Sequence, residues 1–218
     1  GEKIGFRTFG IHLAPASLSG FNVCKDASAG CAAACLNTAG MGAFSNVQNS
    51  RIEKTRLFFK DKAIFLSQLI KEITAAVKSA EKQNLTAVFR LNLTSDLPWE
   101  KIKLNGKSVF DLFPQVTFYD YTKSPERMTA FLAGEMPKNY HLTFSKSETN
   151  GAIAESILKS GGNVAMVFRK SLPSKWLGAE VINGDETDLR FLDGAGKIVG
   201  LVEKGKAKKD ESGFVIEH

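Results

Sequence analysis

Five stretches of the chain join β-branched and aromatic residues into short apolar runs of the length that strands have. They are "IGFRTFGIHL" (4–13), "LTAVFRLNLTSD" (85–96), "QVTFYDYTKS" (115–124), "NYHLTFSKSE" (139–148) and "GNVAMVFRKS" (162–171). The last four end in polar or charged residues. Nearly continuous apolar runs of this kind are typical of strands that are buried on both faces, as in a parallel sheet.

A different periodicity separates several of these runs and predicts helices. Residues 61–84 place apolar side chains on one helical face, at Ile64, Phe65, Leu69, Ile73 and Val77. Residues 150–162 form a shorter helical pattern that stops at a pair of glycines. Residues 99–113 and 125–136 are weaker helix candidates. Alternating strands and helices predict a parallel sheet wrapped by helices.

The predicted fold class is α/β, a partial or closed β/α barrel of the TIM type with five to six mainly parallel strands and outer helices. The 218 residues are expected to form a single domain. Residues 20–62 would be inserted after the first strand, and residues 195–218 would form a C-terminal extension.

In a β/α barrel the ligand site lies at the carboxyl ends of the strands, which selects the polar residues that follow each run. The candidate catalytic residues are Asp96, Lys123 and Glu148, and carboxylates can act as acid or base. The candidate cofactor-binding residues are Asn92, Ser95, Tyr121, Ser145 and Arg169. The alternative is that these residues are polar only because loops contact water.

All three cysteines, Cys24, Cys31 and Cys35, lie within a stretch that we call the cysteine segment (residues 20–42). An odd number of thiols in a chain without an export signal argues against structural disulfides. Three cysteines at the mouth of a barrel suit a [4Fe–4S] cluster with one open iron. Zinc is the alternative, with His12 or His141 as a fourth ligand. The thiols could instead be buried packing groups or a redox site.

The chain carries a formal net charge of +6 and a pI of about 9.2, which is compatible with a nucleic-acid partner. Residues that would contact phosphates are the basic stretch 51–62, Lys123, Lys146, Arg169, Lys170 and the lysines of 204–209. The basic stretch also fits a solvated helix face. No long apolar run or signal-peptide pattern is present, so we expect no membrane partner and a cytoplasmic location.

Several motifs together resemble the gene product 88 family of bacteriophages, whose members are sometimes labelled rolling-circle replication-associated proteins. The motifs are the three cysteines, "NSRIEKTRLFF", "FRLNLTSD", "FYDYTKS", "LTFSKSE" and "VINGDETDLRFLD…IVGLVEKGKAKKDESGFVI". Family members show clustered cysteines, a strand of the form R-x-H-x-S-G-D, and Y-T-K-S. The matching residues here are the cysteines, Arg90, Ser95, Asp96, Tyr121, Thr122, Lys123 and Ser124. Asn92 replaces the family histidine, and the glycine before Asp96 is absent.

The resemblance implies a phage protein in the cytoplasm of an infected bacterium. The chain is also distantly similar to radical S-adenosylmethionine barrels, although their usual spacing is C-x3-C-x2-C. Our leading hypothesis is a [4Fe–4S] protein with a pocket for S-adenosylmethionine or another small molecule or nucleotide, acting as a radical enzyme. The alternatives are a nucleic-acid-binding replication accessory protein with a structural metal, and a host-interaction protein.

Overall fold

The computed structural model describes residues 1–37 and 39–218, which form one nine-stranded, mostly parallel sheet with six α-helices. The strands are β1 (Phe6–Gly10), β2 (Thr86–Arg90), β3 (Thr117–Thr122), β4 (Tyr140–Ser145), β5 (Val164–Phe168), β6 (Lys175–Trp176), β7 (Ala179–Asn183), β8 (Ile198–Val202) and β9 (Val215–Ile216). The helices are α1 (Ala29–Ala33), α2 (Ser45–Lys60), α3 (Lys62–Glu81), α4 (Val109–Leu112), α5 (Pro125–Leu132) and α6 (Gly151–Lys159).

The first five strands lie side by side in chain order and are all parallel. Crossovers between parallel strands are right-handed, so a sheet that always grows in one direction receives its connecting helices on one face. Each of these strands lies within one of the five predicted runs. The predicted mixed α/β class is therefore confirmed.

The sheet is larger than the predicted five to six strands, because β8, β7 and β6 continue it beyond β5. β8 and β7 are parallel to β5, and β6 is antiparallel to β7. β1 and β6 are the two ends of this strand order, and no pairing within the described residues joins them. The predicted closure into a barrel is therefore not confirmed.

Residues 195–218, expected to form an extension, instead supply β8 and β9 to the sheet. β4 pairs with β5 only near the start of β5, at Val164 and Ala165. β9 pairs with the end of β5, at Val167 and Phe168. Because β8 pairs with β5 along its whole length, β9 must lie on the side of β5 that faces β4.

Alternate residues of the central strands pack on opposite faces of the sheet. Phe89 and Phe118 belong to the main core, which includes apolar residues from α2 to α6. Val88 and Tyr119 pack instead with Leu189, and Phe191 contacts the same cluster. The connection between β7 and β8 thus covers the second face below the strand ends.

The four predicted helical regions correspond to α3, α5, α6 and, within residues 99–113, a 3-10 turn at Trp99–Lys101 followed by α4. α2 contains most of the basic stretch and buries Arg51, Thr55 and Phe58. In the described part of the chain, no helix has the length and apolar character needed to cross a bilayer.

Candidate functional site

A cleft of about 630 Å³, which we call the strand-end cleft, opens at the carboxyl ends of the parallel strands. The cysteine segment forms part of its wall, and residues 184–188 of the β7–β8 connection (184–197) form another part. The sequence-predicted site residues that line it are Cys24, Cys31, Cys35, Asn92, Ser95, Asp96, Tyr121, Lys123 and Ser145. Glu148 and Arg169 are not among the described lining residues.

Cys24 lies between Ala16 and the turn that follows β2. Its Sγ accepts a hydrogen bond from the N–H of Ala16 at 3.5 Å and lies 3.8 Å from the carbonyl oxygen of Thr94. Burial raises the pKa of the Cys24 thiol to about 11, and the nearby charge of Asp96 acts in the same direction. The thiol is therefore protonated at neutral pH, and a metal would have to displace its proton.

Cys31 lies on α1 and Cys35 just after it. The side chain of Ser28 caps α1 by accepting a hydrogen bond from the N–H of Cys31 at 3.2 Å. Burial raises the pKa of Cys35, while the positive charges of Lys123 and Arg51 oppose this rise. The thiolate forms of Cys31 and Cys35 would raise the pKa of Cys24 further, so the three thiols lie near one another.

The described residues contain no group of three or more His, Cys, Asp or Glu side chains arranged to hold a metal ion. Neither His12 nor His141, the two histidines considered as a fourth zinc ligand, is among the described lining residues. Burial, followed by nearby arginines, lowers the pKa of each of them to about 4.

Two charged residues hold the cysteine segment on either side of Cys31 and Cys35. Glu148 accepts hydrogen bonds from the hydroxyl of Ser28 and from the N–H of Gly30, both at 2.7 Å. Arg51 donates to the carbonyl oxygen of Asn37 at 2.8 Å and to its Oδ1 at 2.6 Å. Glu148, predicted as a catalytic residue, thus contacts the segment that carries the thiols, and its catalytic role stays a prediction.

Asn92 is predicted to bind a cofactor, but its side-chain amide forms hydrogen bonds with other groups of the protein. Its Oδ1 accepts hydrogen bonds from Ser95 Oγ at 2.8 Å, from the N–H of Leu97 at 2.9 Å and from Trp99 Nε1 at 3.1 Å. Its Nδ2 donates to the carbonyl oxygen of Leu97 at 3.0 Å. Asn92 and Ser95 therefore shape the wall of the cleft through the turn after β2.

Asp96 lines the cleft, and its carboxylate is held by several donors. Oδ1 accepts from Arg127 Nη1 at 2.5 Å, and Oδ2 accepts from the N–H of Lys123 at 2.8 Å and from Thr122 Oγ1 at 3.2 Å. Burial raises the pKa of Asp96, and Arg127 opposes the rise. Arg127 also donates to both carboxylate oxygens of Glu100 at 3.0 Å. These contacts fix the geometry of the β3 end.

Lys123 and Ser145 meet where β3 and β4 end, because Lys123 Nζ donates to Ser145 Oγ at 2.7 Å. Tyr121 lies on the same edge with the guanidinium of Arg90 4.8 Å from its ring centre. Burial raises the pKa of Tyr121, and Asp188 adds to the effect. Its hydroxyl therefore stays protonated at neutral pH.

Arg90 and the acidic residues of the β7–β8 connection are not among the site residues predicted from the sequence, although they line the cleft. Arg90 Nη1 lies 2.8 Å from Asp188 Oδ2, and Lys204 Nζ lies 2.6 Å from Asp185 Oδ1. The signal for Arg90 was its position at the end of β2, the same rule that selected the other strand-end residues. The position of the acidic connection depends on the β7–β8 pairing, which no local pattern predicted.

Arg169, predicted to bind a cofactor, instead clamps the C-terminal tail (residues 204–218). It donates to the carbonyl oxygens of Lys208 at 3.0 Å and Asp210 at 2.6 Å, and to Glu217 Oε1 at 2.7 Å. The tail places Ala207 and Phe214 in the cleft lining. Arg169 therefore acts on the cleft indirectly, through the tail.

Several basic residues considered for phosphate contact are engaged inside the protein. Arg51 is buried against Asn37, and Arg56 Nε donates to the carbonyl oxygen of Ser19 at 3.1 Å. Lys62 lies over the ring of Phe58. The basic stretch thus contributes fewer free charges to a nucleic-acid surface than its composition indicates.

Comparison with known proteins identifies the family of the chain. The family model described as Gene product 88 matches residues 3–218, which supports the expected bacteriophage context. No curated protein and no solved structure matches the chain, and the distant similarity to radical S-adenosylmethionine barrels receives no support. The chain belongs to the Gene product 88 family.

Proposed function

We propose that this protein binds a [4Fe–4S] cluster through Cys24, Cys31 and Cys35, and that the strand-end cleft binds a small molecule or nucleotide beside it. The observation that carries the proposal is that all three thiols line the same cleft as the polar ends of β2, β3 and β4. A volume of about 630 Å³ lies within the range of small-molecule sites. We place this function in the cytoplasm of the infected host, where thiols stay reduced.

The donor set favours an iron–sulfur cluster over zinc. Structural zinc sites normally have four protein ligands, and the described lining supplies three thiols without a histidine. A [4Fe–4S] cluster held by three cysteines keeps one iron open to a small ligand and transfers single electrons. The chain itself would contribute thiols near Lys123 and Arg51, whose positive charges favour the thiolate of Cys35.

A radical S-adenosylmethionine-like reaction is the finer form of this proposal. Asp96, Lys123 and Ser145 would then orient the cofactor or substrate, since all three line the cleft. The cysteine spacing C-x6-C-x3-C differs from the usual C-x3-C-x2-C, so cleavage of S-adenosylmethionine needs its own assay. That assay follows only if a cluster is present.

The test is purification without oxygen, followed by measurement of iron, sulfide and zinc per chain. We expect about four irons and about four sulfides per chain, with broad visible absorbance, in the wild type. Cys31→Ala should lose most of the iron, whereas Ser50→Ala, on the exposed surface of α2, should keep it. A colourless protein with about one zinc per chain would reject the cluster and leave a structural metal site.

Nucleic-acid binding with a structural metal is the second candidate. The observation in its favour is the set of exposed lysines in the tail, which are Lys206, Lys208 and Lys209. Phosphate binding weakens steeply as salt concentration rises, whereas the absorbance of a protein-bound cluster does not respond to salt in this way. Affinity for single-stranded DNA measured over a range of salt concentrations therefore separates the two candidates.

A further inference from the structure

The cations that line the strand-end cleft differ in whether a carboxylate neutralises them. Arg90 is paired with Asp188 at 2.8 Å, and Lys204 is paired with Asp185 at 2.6 Å. Lys123 has no salt-bridge partner among the described residues, and its Nζ contacts a neutral hydroxyl. An ammonium group that has no carboxylate partner is available to pair with an incoming anion.

We propose that Lys123 and Ser145 bind the anionic group, a carboxylate or a phosphate, of a small ligand in the strand-end cleft. This inference rests on the proposed function only in taking the cleft as the ligand site. It assigns a chemical class to that ligand and gives Lys123 a binding role.

The local geometry provides donors for such a group. Lys123 follows β3 directly and Ser145 ends β4, and the parallel register places Thr122 beside Phe144, one residue before each of them. Ser145 Oγ accepts a hydrogen bond from Lys123 Nζ at 2.7 Å, so its own O–H remains free to donate. The ammonium keeps two further N–H groups. One carboxylate or phosphate can therefore accept from both side chains.

The carboxylate of Asp96, at the same edge, is directed elsewhere. Asp96 Oδ1 accepts from Arg127, and its Oδ2 accepts from the main-chain N–H of Lys123 and not from its ammonium. Asp96 therefore does not occupy the position that an anion would take at Nζ.

Apolar side chains form another part of the cleft lining. Lys123 Nζ lies 5.6 Å from the centre of the Phe214 ring, and Ala165, Val167 and Leu201 also line the cleft. A planar or apolar ligand body can pack on these side chains while its anionic end meets Lys123. The cleft thus fits a small amphipathic anion better than a free inorganic ion.

Two pairs of probes test this assignment by two-dimensional NMR titration at low salt. The phosphate pair is AMP and adenosine, and the carboxylate pair is phenylacetate and the neutral phenylacetamide. We expect the anion of at least one pair to bind about tenfold more tightly than its neutral partner. Lys123→Met should abolish this preference, and Ser145→Ala should reduce it. Lys60→Met, at an exposed position in α2, should leave it unchanged.

Equal affinity for anion and neutral partner in both pairs would overturn the assignment, and this comparison uses only the wild-type protein. A preference that survives in Lys123→Met would also overturn it. Iron content and anion preference separate this inference from the metal proposal. If the wild type prefers the anions but holds no iron, only the cluster is rejected. If the wild type holds iron but shows no anion preference, only the role of Lys123 is rejected.

Discussion

The carboxylate of Glu148 lies against the main chain of Gly30, with 2.7 Å between Glu148 Oε1 and the Gly30 nitrogen. A Cβ atom at Gly30 would lie 2.8 Å from Glu148 Oε2 and would overlap Ser212 Oγ. Hydrogen bonds from Ser28 and Gly30 hold the pKa of Glu148 below its ordinary value, although burial opposes them. Gly30, in the first turn of α1 and one residue before Cys31, is thus enclosed by the β4–α6 connection and by the C-terminal tail.

Replacing Gly30 by alanine should loosen the cysteine segment. The added methyl group must displace Glu148 and Ser212, which we expect to cost about 1–3 kcal/mol of the free energy of unfolding. Urea unfolding measures this loss, and reaction of Cys31 with a thiol reagent should become faster. Gly151→Ala is the matched control because a Cβ there meets nothing within 4 Å. Equal effects of the two substitutions would show that the close approach at Gly30 is unimportant.

Arg127 joins two acidic residues beneath the cleft and should be costly to remove. Its side chain is 5% exposed and contacts Asp96 and Glu100. Arg127→Met leaves both carboxylates buried without their cation, so we expect a loss of about 3–5 kcal/mol in the free energy of unfolding. Lys101→Met breaks a pair with Glu126 that is largely exposed, and should change the free energy of unfolding little. Urea unfolding of both variants gives the comparison, and similar losses would contradict this account.

The first five strands could be predicted from the sequence because each lies within a run rich in β-branched and aromatic residues, and four of these runs end in polar or charged residues. β8 has the same length as β1, β2 and β5, but Gly200 at its centre interrupts its apolar run, so the sequence pattern does not predict it. Gly200 is required by packing, since a Cβ there would lie 2.7 Å from Val181 of β7. β6 and β9 contain two residues each, so pairing defines them and no local pattern does.

The sequence predicts that the cysteines lie beside the strand ends, because the cysteine segment follows β1 and parallel strands bring their carboxyl ends to one edge of the sheet. The individual roles did not follow from that rule. Asn92 is polar and follows a strand, yet its amide bonds to residues within the next turn. Glu148 and Arg169 bond to main-chain groups of the cysteine segment and the tail. Those contacts depend on how distant segments pack, which single-sequence patterns do not contain.

Asp120 should give the stability of the protein an unusual pH dependence. Burial raises the pKa of its carboxyl group to about 7, although Arg90 and a hydrogen bond from the N–H of Asn92 oppose the rise. The folded protein therefore holds one more proton than the unfolded chain between about pH 4 and about pH 7. Because the unfolded state binds fewer protons in this window, the contribution of Asp120 to the free energy of unfolding falls as pH rises.

The measurement is urea unfolding of the wild type and Asp120→Asn from about pH 4.5 to about pH 8. The free energy of the wild type relative to the variant should fall as pH rises to about 7 and then level off. His12 and His141, which are partly buried and have lowered pKa values, shift stability in the opposite sense, and subtraction of the variant removes their contribution. For Asp111→Asn the difference should stay flat, since hydrogen bonds from Ser108 lower the pKa of Asp111 and its titration lies below this range. A flat difference for Asp120→Asn as well would reject the raised pKa.

The C-terminal tail should open when Arg169 is replaced. Arg169→Ala removes donors to the carbonyl oxygens of Lys208 and Asp210 and the ion pair with Glu217. We expect amide hydrogen exchange over residues 205–216 to become about tenfold faster or more, because local opening depends on such contacts. Lys209→Ala, at an exposed position in the same tail, should leave the exchange rates unchanged.

A second variant separates the main-chain contacts of Arg169 from its ion pair. Glu217→Gln removes only the pair with the exposed Glu217, and should change exchange little. If Glu217→Gln has the same effect as Arg169→Ala, the carbonyl contacts do not hold the tail. Ala207 and Val215 of the tail pack against Ala34, next to Cys35. Opening of the tail should therefore also speed the reaction of Cys35 with thiol reagents, which would link the tail to the accessibility of the proposed metal site.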